Sequence, residues 1–257
     1  MSRAPVVPVP SATVVLLRDG PDDMEVLLLR RSPRARFVPG MYVFPGGLVD
    51  RGDASRATWE RFDGLLPEHA EERLQIQNAE PPAIAYYVAA CREAFEETGI
   101  LVGQCGGEPS GVPHGTEATR VRGDLLEDRI DFGTALELLD ARIRGHGLAY
   151  FAHWITPEAL SRRYDTRFFA AEVPGNVDAV VDAREMTHAL WTPPRIALEQ
   201  ALGGELPMIL PTLHTLQRLA PWSRVADALS HLSVGPTATI MPSSPDDLSA
   251  LRDSAGR

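Results

Sequence analysis

The sequence predicts an α/β (α+β) fold in which a mixed β-sheet is sandwiched between helices. Its 257 residues are 44% apolar and 23% charged, which is ordinary for a soluble globular protein with a real core. Strand-like and helical segments alternate along the chain. They do so without the regular βαβ series of a doubly wound sheet, and this favours a mixed sheet.

The N-terminal part predicts a lead-in followed by a hairpin. Residues 1–10 contain three prolines and predict an extended segment. Two β-rich runs follow at 12–17 and 25–29, and the turn-forming DGPDD lies between them at 19–23. Such a pair is typical of a hairpin or of neighbouring strands. We expect one domain over residues 11–235.

A helical region occupies the next part of the sequence. Residues 53–79 are polar with a helical pattern, and the insertion described below, about 54–82, falls here. Pro81 and Pro82 precede the segment 83–99. Proline is tolerated in the first turn of a helix and Gly99 suits the C′ position, so this segment predicts a helix.

The remaining segments predict a loop, further strands, C-terminal helices and a tail. We expect a Gly-rich loop at 103–119, a helix at 124–144, strands at 148–156 and 167–174, helices at 197–202 and 213–219, and a flexible tail at 236–257. The tail is rich in Ser, Asp and Pro, and chain ends of this kind are often loosely held.

Several classes of protein are disfavoured by what the sequence lacks. No apolar run approaches the roughly 18–20 residues of a membrane span, and the N-terminus has no signal-peptide pattern. Cys91 and Cys105 are too few for a disulfide scaffold or a four-ligand zinc site. We therefore expect a cytoplasmic protein with no membrane partner.

The charge and the choice of basic residues disfavour further kinds of partner and catalytic group. Thirty-five acidic and 25 basic residues give a formal charge of −10, which disfavours nucleic acid as the main partner. All the basic residues are arginine. The absence of lysine excludes a Schiff-base lysine, a lysine base and a P-loop lysine.

Three glutamates crowd one side of the predicted helix 83–99. On a wheel with about 100° per residue and Glu93 at 0°, Glu97 lies near 40° and Glu96 near 300°. We call these three residues the acidic ridge. The apolar residues occupy the opposite side: Ile84, Tyr87, Cys91 and Phe95.

The acidic ridge is electrostatically unfavourable unless something neutralises it. Like charges at i, i+4 repel, and the C-terminal end of a helix disfavours anions. Carboxylate oxygens without His or Cys suit a hard cation, Mg²⁺ or Mn²⁺. From the residues alone, a divalent-metal site and a solvated acidic helix face both remain open.

The stretch REAFEETGI at 92–100 resembles the second half of the Nudix box, Gx5Ex7REUxEExGU, where U is aliphatic. Gly47, five residues and then Asp53 resemble the first half, with Asp53 where the family usually has Glu. Asp53 and Arg92 are separated by 38 residues rather than seven, so 31 are inserted. Because the insertion follows Asp53 directly, the altered spacing affects the assignment of Asp53 to the box more than that of the glutamates.

An upstream motif resembles that of the coenzyme A diphosphatase branch of this superfamily, L[LF]TxR[SA]xxxRxxxGxxxFPGG. Only its Thr position departs, being Leu29. The matching residues are Leu27, Leu28, Arg31, Ser32, Arg36, Gly40, Phe44, Pro45, Gly46 and Gly47. Arginine suits phosphate well, whereas the alternative for this Arg-rich stretch is a solvated loop.

The resemblance implies a Nudix-type α/β/α sandwich with a mixed sheet, a helical insertion and C-terminal helices. It implies that the acidic ridge holds Mg²⁺ or Mn²⁺, with the Gly47 carbonyl as a further ligand, and that Arg92 orients a glutamate in the catalytic group. It also implies a substrate-binding set: Arg31, Ser32, Arg36, Gly40, Phe44 and Gly46. Glu185, on a loop where the family often places another acid, is a candidate fourth ligand or general base.

The resemblance further implies a metal-dependent hydrolase of coenzyme A or acyl-CoA, with 3′,5′-ADP and (acyl-)4′-phosphopantetheine as products. The alternatives are a Nudix hydrolase of another nucleoside diphosphate derivative (ADP-ribose, NADH, a nucleotide sugar) and a non-catalytic nucleotide sensor. A homodimer is expected because members of the family are often dimers. A second basic group at Arg162, Arg163 and Arg167 either lines the substrate pocket or forms salt bridges at a strand edge.

Overall fold

A mixed β-sheet forms the centre of the computed structural model, which describes residues 6–109, 113, 115–233 and 237–244. The strands in these ranges are β1 (Val9–Asp19), β2 (Met24–Arg31), β3 (Tyr42–Val43), β4 (Gly46–Leu48), β5 (Gly103–Cys105), β6 (Glu108–Pro109), β7 (Ala141–Ile143), β8 (Ala149–Ile155), β9 (Tyr164–Glu172), β10 (Met186–Thr192) and β11 (Thr239–Ile240).

Eight helices accompany these strands in the described ranges. They are α1 (Arg56–Trp59), α2 (Pro67–Leu74), α3 (Ala83–Thr98), α4 (Gly115–Leu126), α5 (Phe132–Leu138), α6 (Pro194–Leu202), α7 (Leu210–Leu219) and α8 (Val225–Leu232). Two short 3₁₀ turns also occur, at Arg51–Ala54 and Gly145–Gly147. None of the described helices is both long and apolar enough to cross a membrane.

The sheet combines parallel and antiparallel pairs, as the sequence predicted. Its order is β10-β2-β1-β9-β8-β11, with β3 on β2 and β4 on β1. The predicted hairpin is confirmed, because β1 and β2 pair antiparallel with Leu17 opposite Val26. β1 pairs parallel with β9 over nine residue pairs. A separate small sheet has the order β6-β5-β7.

Two hydrophobic cores lie on the two faces of the sheet. Side chains alternate between the faces of a strand, so Val14 and Leu16 of β1 pack in the core that contains α3. Val15 and Leu17 pack in the other core, with residues of α6, α7 and α8. The structure therefore confirms the predicted sandwich of helices about a mixed sheet.

The insertion contains less helix than its sequence pattern predicted. Residues 53–79 form the end of a 3₁₀ turn, α1 and α2, with irregular chain between them. Gln75 ends α2 in the left-handed conformation at φ 56°. The helix predicted at 83–99 is confirmed by α3, which ends at Gly99 with φ 74°.

Two predictions downstream of α3 need correction. The segment 103–119, expected to be a loop, contains the β5–β6 pair and the start of α4, although 110–112 and 114 lie outside the described residues. The segment 124–144, expected to be one helix, is broken at Asp128, whose φ is 54°. Asp131 then caps α5 by accepting a bond from the Thr134 N–H, and β7 follows.

The C-terminal region contains elements that the sequence pattern did not reveal. β10, α8 and β11 were not predicted, whereas the two C-terminal helices correspond to α6 and α7. β11 lies within the segment expected to be a tail, and it pairs with β8 through Thr239 opposite His153. Residues 245–257 lie outside the described residues. At the other end, β1 begins at Val9 within the expected lead-in.

His214 on α7 makes the stability of this fold depend on pH. Its ring is buried and packs edge-on against Trp154, with 5.2 Å between the ring centroids. Burial, with a smaller effect of Arg218, lowers the pKa of His214 from 6.5 to about 4. Below pH 6.5 the unfolded chain binds a proton here that the folded chain takes up only near pH 4.

Lowering the pH from 7 to 5 should therefore remove about 2 kcal/mol from the free energy of unfolding through this group alone. Urea denaturation at both pH values measures the effect. Wild type should lose about 2 kcal/mol more than His214→Leu, and a variant of the exposed His188, His188→Leu, should behave like wild type. Equal losses in wild type and His214→Leu would refute this assignment.

Candidate active site

Helix α3 brings the acidic ridge into the body of the protein. Pro82 precedes its first turn and Gly99 ends it. Most of its residues are buried, and Glu97 is only 5% exposed. Packed chain therefore covers Glu97, whereas Glu93 and Glu96 keep 15% and 19% of their side chains exposed.

Arg92 and Asp53 form a buried ion pair at the base of the ridge. Arg92 Nε and Nη2 donate to the two Asp53 carboxylate oxygens at 2.8 and 3.0 Å. Asp53 is 1% exposed and also accepts the Asp50 N–H at 2.8 Å. Asp53 thus holds Arg92 in place across the insertion, which answers the question that the altered spacing raised about its role.

The remaining donors of Arg92 orient the ridge and an adjacent loop. Nη1 donates to Glu93 at 2.9 Å and to Glu96 at 3.0 Å, the second contact being the i, i+4 pair. Nη2 also donates to the Leu48 carbonyl at 2.8 Å. Arg92 therefore bonds to two members of the ridge, and the orienting role that the resemblance implies for it stays a prediction.

The glycines of β4 lie directly against the ridge. The Gly46 N–H donates to Glu97 Oε2 at 3.1 Å. A Cβ atom built on Gly47 would overlap the Glu93 carboxylate, so a side chain at position 47 would have to displace that carboxylate. Glycine at 47 thus lets a carboxylate approach the backbone closely.

A second arginine faces the ridge from β2. Arg31 Nη1 lies 4.0 Å from Glu97 Oε1, and its Nη2 lies 3.8 Å from Glu185 Oε2. The Ser32 N–H donates to the Glu185 carbonyl at 2.8 Å, which joins the two loops. The structure thus brings Arg31, Glu97 and Glu185 together, three residues that the sequence analysis selected separately.

Burial raises the pKa of every glutamate in the ridge. For Glu97 the pKa lies well above its ordinary value, through desolvation and then the charge of Glu93. Desolvation outweighs the opposing effect of Arg92 at the other two, and the pKa of Glu96 rises to about 7. The two arginines therefore do not fully compensate the negative charge of the ridge.

The donor chemistry fits a hard cation, although the side chains do not surround a cation position. Among the described residues, no three His, Cys, Asp or Glu side chains are arranged to hold a metal ion. The glutamates instead accept bonds from Arg92 and the Gly46 N–H. Buried carboxylates with raised pKa values, beside a glycine backbone, are the oxygen donors that Mg²⁺ and Mn²⁺ bind.

The residues expected to bind substrate have different surroundings. Ser32 is half-buried and Arg36 is exposed on the loop that follows β2. Gly40 has φ 73° and turns this loop back. Phe44 is 4% exposed and lies in the core on the sheet face opposite α3. Phe44 therefore has a packing role, and the binding role implied for it stays a prediction.

The second basic group separates into different environments. Arg163 donates to the Thr156 and Val6 carbonyls and ties chain segments together. Arg167 is buried on β9 at the wall of a cavity away from the ridge.

Arg122 of α4 is a site neighbour that sequence reasoning missed. It donates through Nη2 to the Glu96 carbonyl at 2.7 Å and so secures the last turn of α3. Residue 122 lies between the predicted loop at 103–119 and the predicted helix at 124–144, and its sequence context, with Arg120 nearby, does not distinguish it from a surface arginine.

Comparisons with known sequences give the following matches. The sequence model described as the NUDT19 Nudix domain matches residues 7–219. The chain is 30% identical over 245 residues to the acyl-coenzyme A diphosphatase NUDT19 of Gallus gallus, and 28% identical over 240 residues to that of Homo sapiens. The alignments cover 81% and 80% of this chain, but 64% and 63% of those relatives. The chain thus spans less than two thirds of their length.

A solved structure gives a similar result for the fold. The crystal structure of a NUDIX hydrolase from Alicyclobacillus acidocaldarius is 31% identical in sequence and superposes with a TM-score of 0.72. The match covers 90% of this chain and 99% of the other.

Proposed function

Because the chain belongs to the NUDT19 Nudix domain family, we propose that it is a hydrolase of coenzyme A or acyl-CoA. The reaction adds water to one phosphorus of the diphosphate and breaks the bridging P–O bond, which gives 3′,5′-ADP and (acyl-)4′-phosphopantetheine. The observation that carries this proposal is the meeting of the acidic ridge, the Gly46–Gly47 backbone and Arg31 at one place. The names of the relatives from Gallus gallus and Homo sapiens support the choice of substrate.

Glu93, Glu96 and Glu97 are the residues that would hold the divalent cation, together with the Gly47 carbonyl. Bound Mg²⁺ or Mn²⁺ would polarise the diphosphate oxygens and activate the attacking water. The chain supplies the position of these carboxylates, because Arg92 holds Glu93 and Glu96 while the Gly46 N–H holds Glu97.

Arg31 and Glu185 complete the proposed site on its substrate side. The guanidinium of Arg31 is planar and suits two phosphate oxygens at once. Its contacts with Glu97 and Glu185 are 4.0 and 3.8 Å long, which leaves its donors able to turn to a phosphate. Glu185, with 59% of its side chain exposed, is the candidate base that accepts a proton from the attacking water.

A substrate panel tests the proposal directly. Purified protein with Mg²⁺, and separately with Mn²⁺, is incubated with coenzyme A, an acyl-CoA, 3′-dephospho-CoA, ADP-ribose and NADH, and the products are resolved by chromatography. Release of 3′,5′-ADP that stops when the metal is removed would support the proposal. Hydrolysis of ADP-ribose or NADH alone would contradict the substrate, and silence on the whole panel would contradict the activity.

Arg31→Gln should lower kcat/KM for coenzyme A by about ten- to a hundredfold, the value of a charge-assisted hydrogen bond. The matched control is Arg30→Gln, because the neighbouring Arg30 is exposed and packs near the Tyr42 ring instead. Arg30→Gln should stay close to wild type. Equal losses of kcat/KM in the two variants would show that the activity depends on the total positive charge of this segment and not on the position of Arg31.

Gly47→Ala should lower kcat by about tenfold or more, because the new Cβ displaces the Glu93 carboxylate, and a small misplacement at a reaction centre is costly. The stability cost should be small, since the atom that must move is the end of a flexible side chain. Gly52→Ala is the control, as a Cβ there has no neighbour within 4 Å. Calorimetric titration with Mn²⁺ should show weakened binding in Gly47→Ala alone. Wild-type binding and turnover in Gly47→Ala would contradict the role of this contact.

A further inference from the structure

A cavity of about 750 Å³ lies at the edge of the main sheet, away from the acidic ridge. We call it the edge cavity. Its walls come from α2 of the insertion, the start of β8, β9 and α8, and residues that represent these walls are Glu72, Arg73, Tyr150, His153, Arg167 and Ser230. The volume is that of a small-molecule site. None of the residues of the proposed active site is among those that line it.

Arg167 lines this cavity and contains a buried hydrogen-bond donor without an acceptor in the described part of the chain. The residue is 8% exposed, and its Nη1 donates to the Tyr150 hydroxyl at 3.3 Å. The nearest carboxylate oxygen, Asp165 Oδ1, lies 3.7 Å from Nε, beyond hydrogen-bond distance. Nε has no acceptor among the described residues. A buried donor of this kind is costly unless an acceptor reaches it.

The cavity wall beside Arg167 is fixed by a chain of hydrogen bonds. Asp165 Oδ1 lies 2.6 Å from His153 Nε2, and His153 Nδ1 lies 2.7 Å from the Thr239 hydroxyl. Asp165 is thus already engaged by His153, which leaves the Arg167 Nε–H free of a close acceptor. The same bonds hold β11 against β8, so the wall is built from residues far apart in the sequence.

The polarity of the lining selects the class of ligand. Side chains with hydroxyl, imidazole or guanidinium groups line most of the cavity, and a hydrocarbon chain would leave them unpaired. The Arg167 Nε–H lacks an acceptor within the described ranges, and a planar guanidinium matches an oxyanion best. Arg73 of α2 adds a second positive charge, and the neighbouring Glu72 adds a negative one.

We propose that the edge cavity is a second ligand site, which binds a small molecule through a carboxylate or phosphate group placed on Arg167. The 31-residue insertion acquires a function in this proposal, because α2 forms one wall. The site does not depend on the proposed hydrolase activity.

Anion binding by metal-free protein tests the proposal. Arg31→Gln serves as the background, so that anions at the acidic ridge are not counted. Inorganic phosphate and acetate are titrated separately in a Tris chloride buffer at constant ionic strength, with calorimetry and thermal unfolding as readouts. Because phosphate also stabilises proteins by exclusion from their surface, only saturable binding counts, and hydrogen–deuterium exchange locates it.

We expect saturable binding of phosphate, acetate or both, with protection at 146–153 and 226–233. Adding Arg167→Gln should raise the apparent dissociation constant about tenfold or more. Ser230→Trp, an exposed position on the cavity rim, should block binding and decides the matter if Arg167→Gln does not fold. Arg195→Gln, a surface control, should change nothing. No saturable binding of either anion, or binding that survives Ser230→Trp, would overturn the proposal.

Discussion

Glu97→Gln should lower kcat for coenzyme A hydrolysis by about 10³-fold, the range found when a key charge-stabilising group is lost. Glu97 is buried between Gly46 and Arg31: its carboxylate accepts the Gly46 N–H at 3.1 Å and lies 4.0 Å from Arg31 Nη1. The amide keeps the shape of the side chain but removes the charge that a divalent cation requires. Steady-state kinetics with saturating Mg²⁺ or Mn²⁺ measures the loss.

The same variant should be no less stable than wild type in metal-free buffer. Burial and Glu93 raise the pKa of Glu97 well above its ordinary value. A carboxyl with a raised pKa costs folding free energy at the pH values where it would ionise in the unfolded chain, and glutamine avoids that cost. The exposed Glu199→Gln is the control for both readouts. Lost activity together with a large loss of stability would indicate that Glu97 is structural.

Arg92→Met should give the largest stability change, a loss of about 3–5 kcal/mol, because it leaves Asp53 buried without its partner. Burial raises the pKa of Asp53 and Arg92 opposes that rise, so the arginine favours the charged form of this carboxyl group. Glu93 and Glu96 lose their common donor at the same time. Urea denaturation at neutral pH measures the change.

A surface ion pair and a double variant give the matched comparison. Arg56 pairs with Glu60 at 2.7 Å in an exposed position, and Arg56→Met should cost less than about 1 kcal/mol. Arg92→Met combined with Asp53→Leu should cost less than the two single changes added together, since neither charge then stays unpaired. Additive losses would show that the two side chains do not act as a pair.

The sequence predicted the features that depend on local pattern. The mixed-sheet sandwich, the β1–β2 hairpin and helix α3 follow from turn residues, alternation and helix-end signals. The ridge followed from the wheel, since Glu93, Glu96 and Glu97 are neighbours along one helix. The match of REAFEETGI to the Nudix box led to the same family as the comparisons.

What the sequence did not predict depends on contacts between distant residues. Asp53 and Arg92 are separated by the insertion, and no local pattern indicates that they form a buried pair. β11 is two residues long and forms because β8 offers it an edge. The break after α4 depends on the positive φ of Asp128, and a helical hydrophobic pattern over 124–144 concealed it. The burial of Phe44 in the core opposite α3 was likewise not predicted from its motif.

The parallel pairing of β1 with β9 also determines when the molecule can finish folding. Val9 lies opposite Tyr164, and the pairs continue to Leu17 opposite Glu172. These strands are far apart in the sequence, so their pairing requires the closure of a long loop. The chain entropy lost in that closure is compensated only after the hydrogen bonds between the strands form. During synthesis β1 emerges first, can form its hairpin with β2, and then waits with one edge open until residue 172 has been made. An apolar open edge invites wrong pairing with other chains. The risk of wrong pairing at this edge of β1 therefore ends when β9 docks beside it.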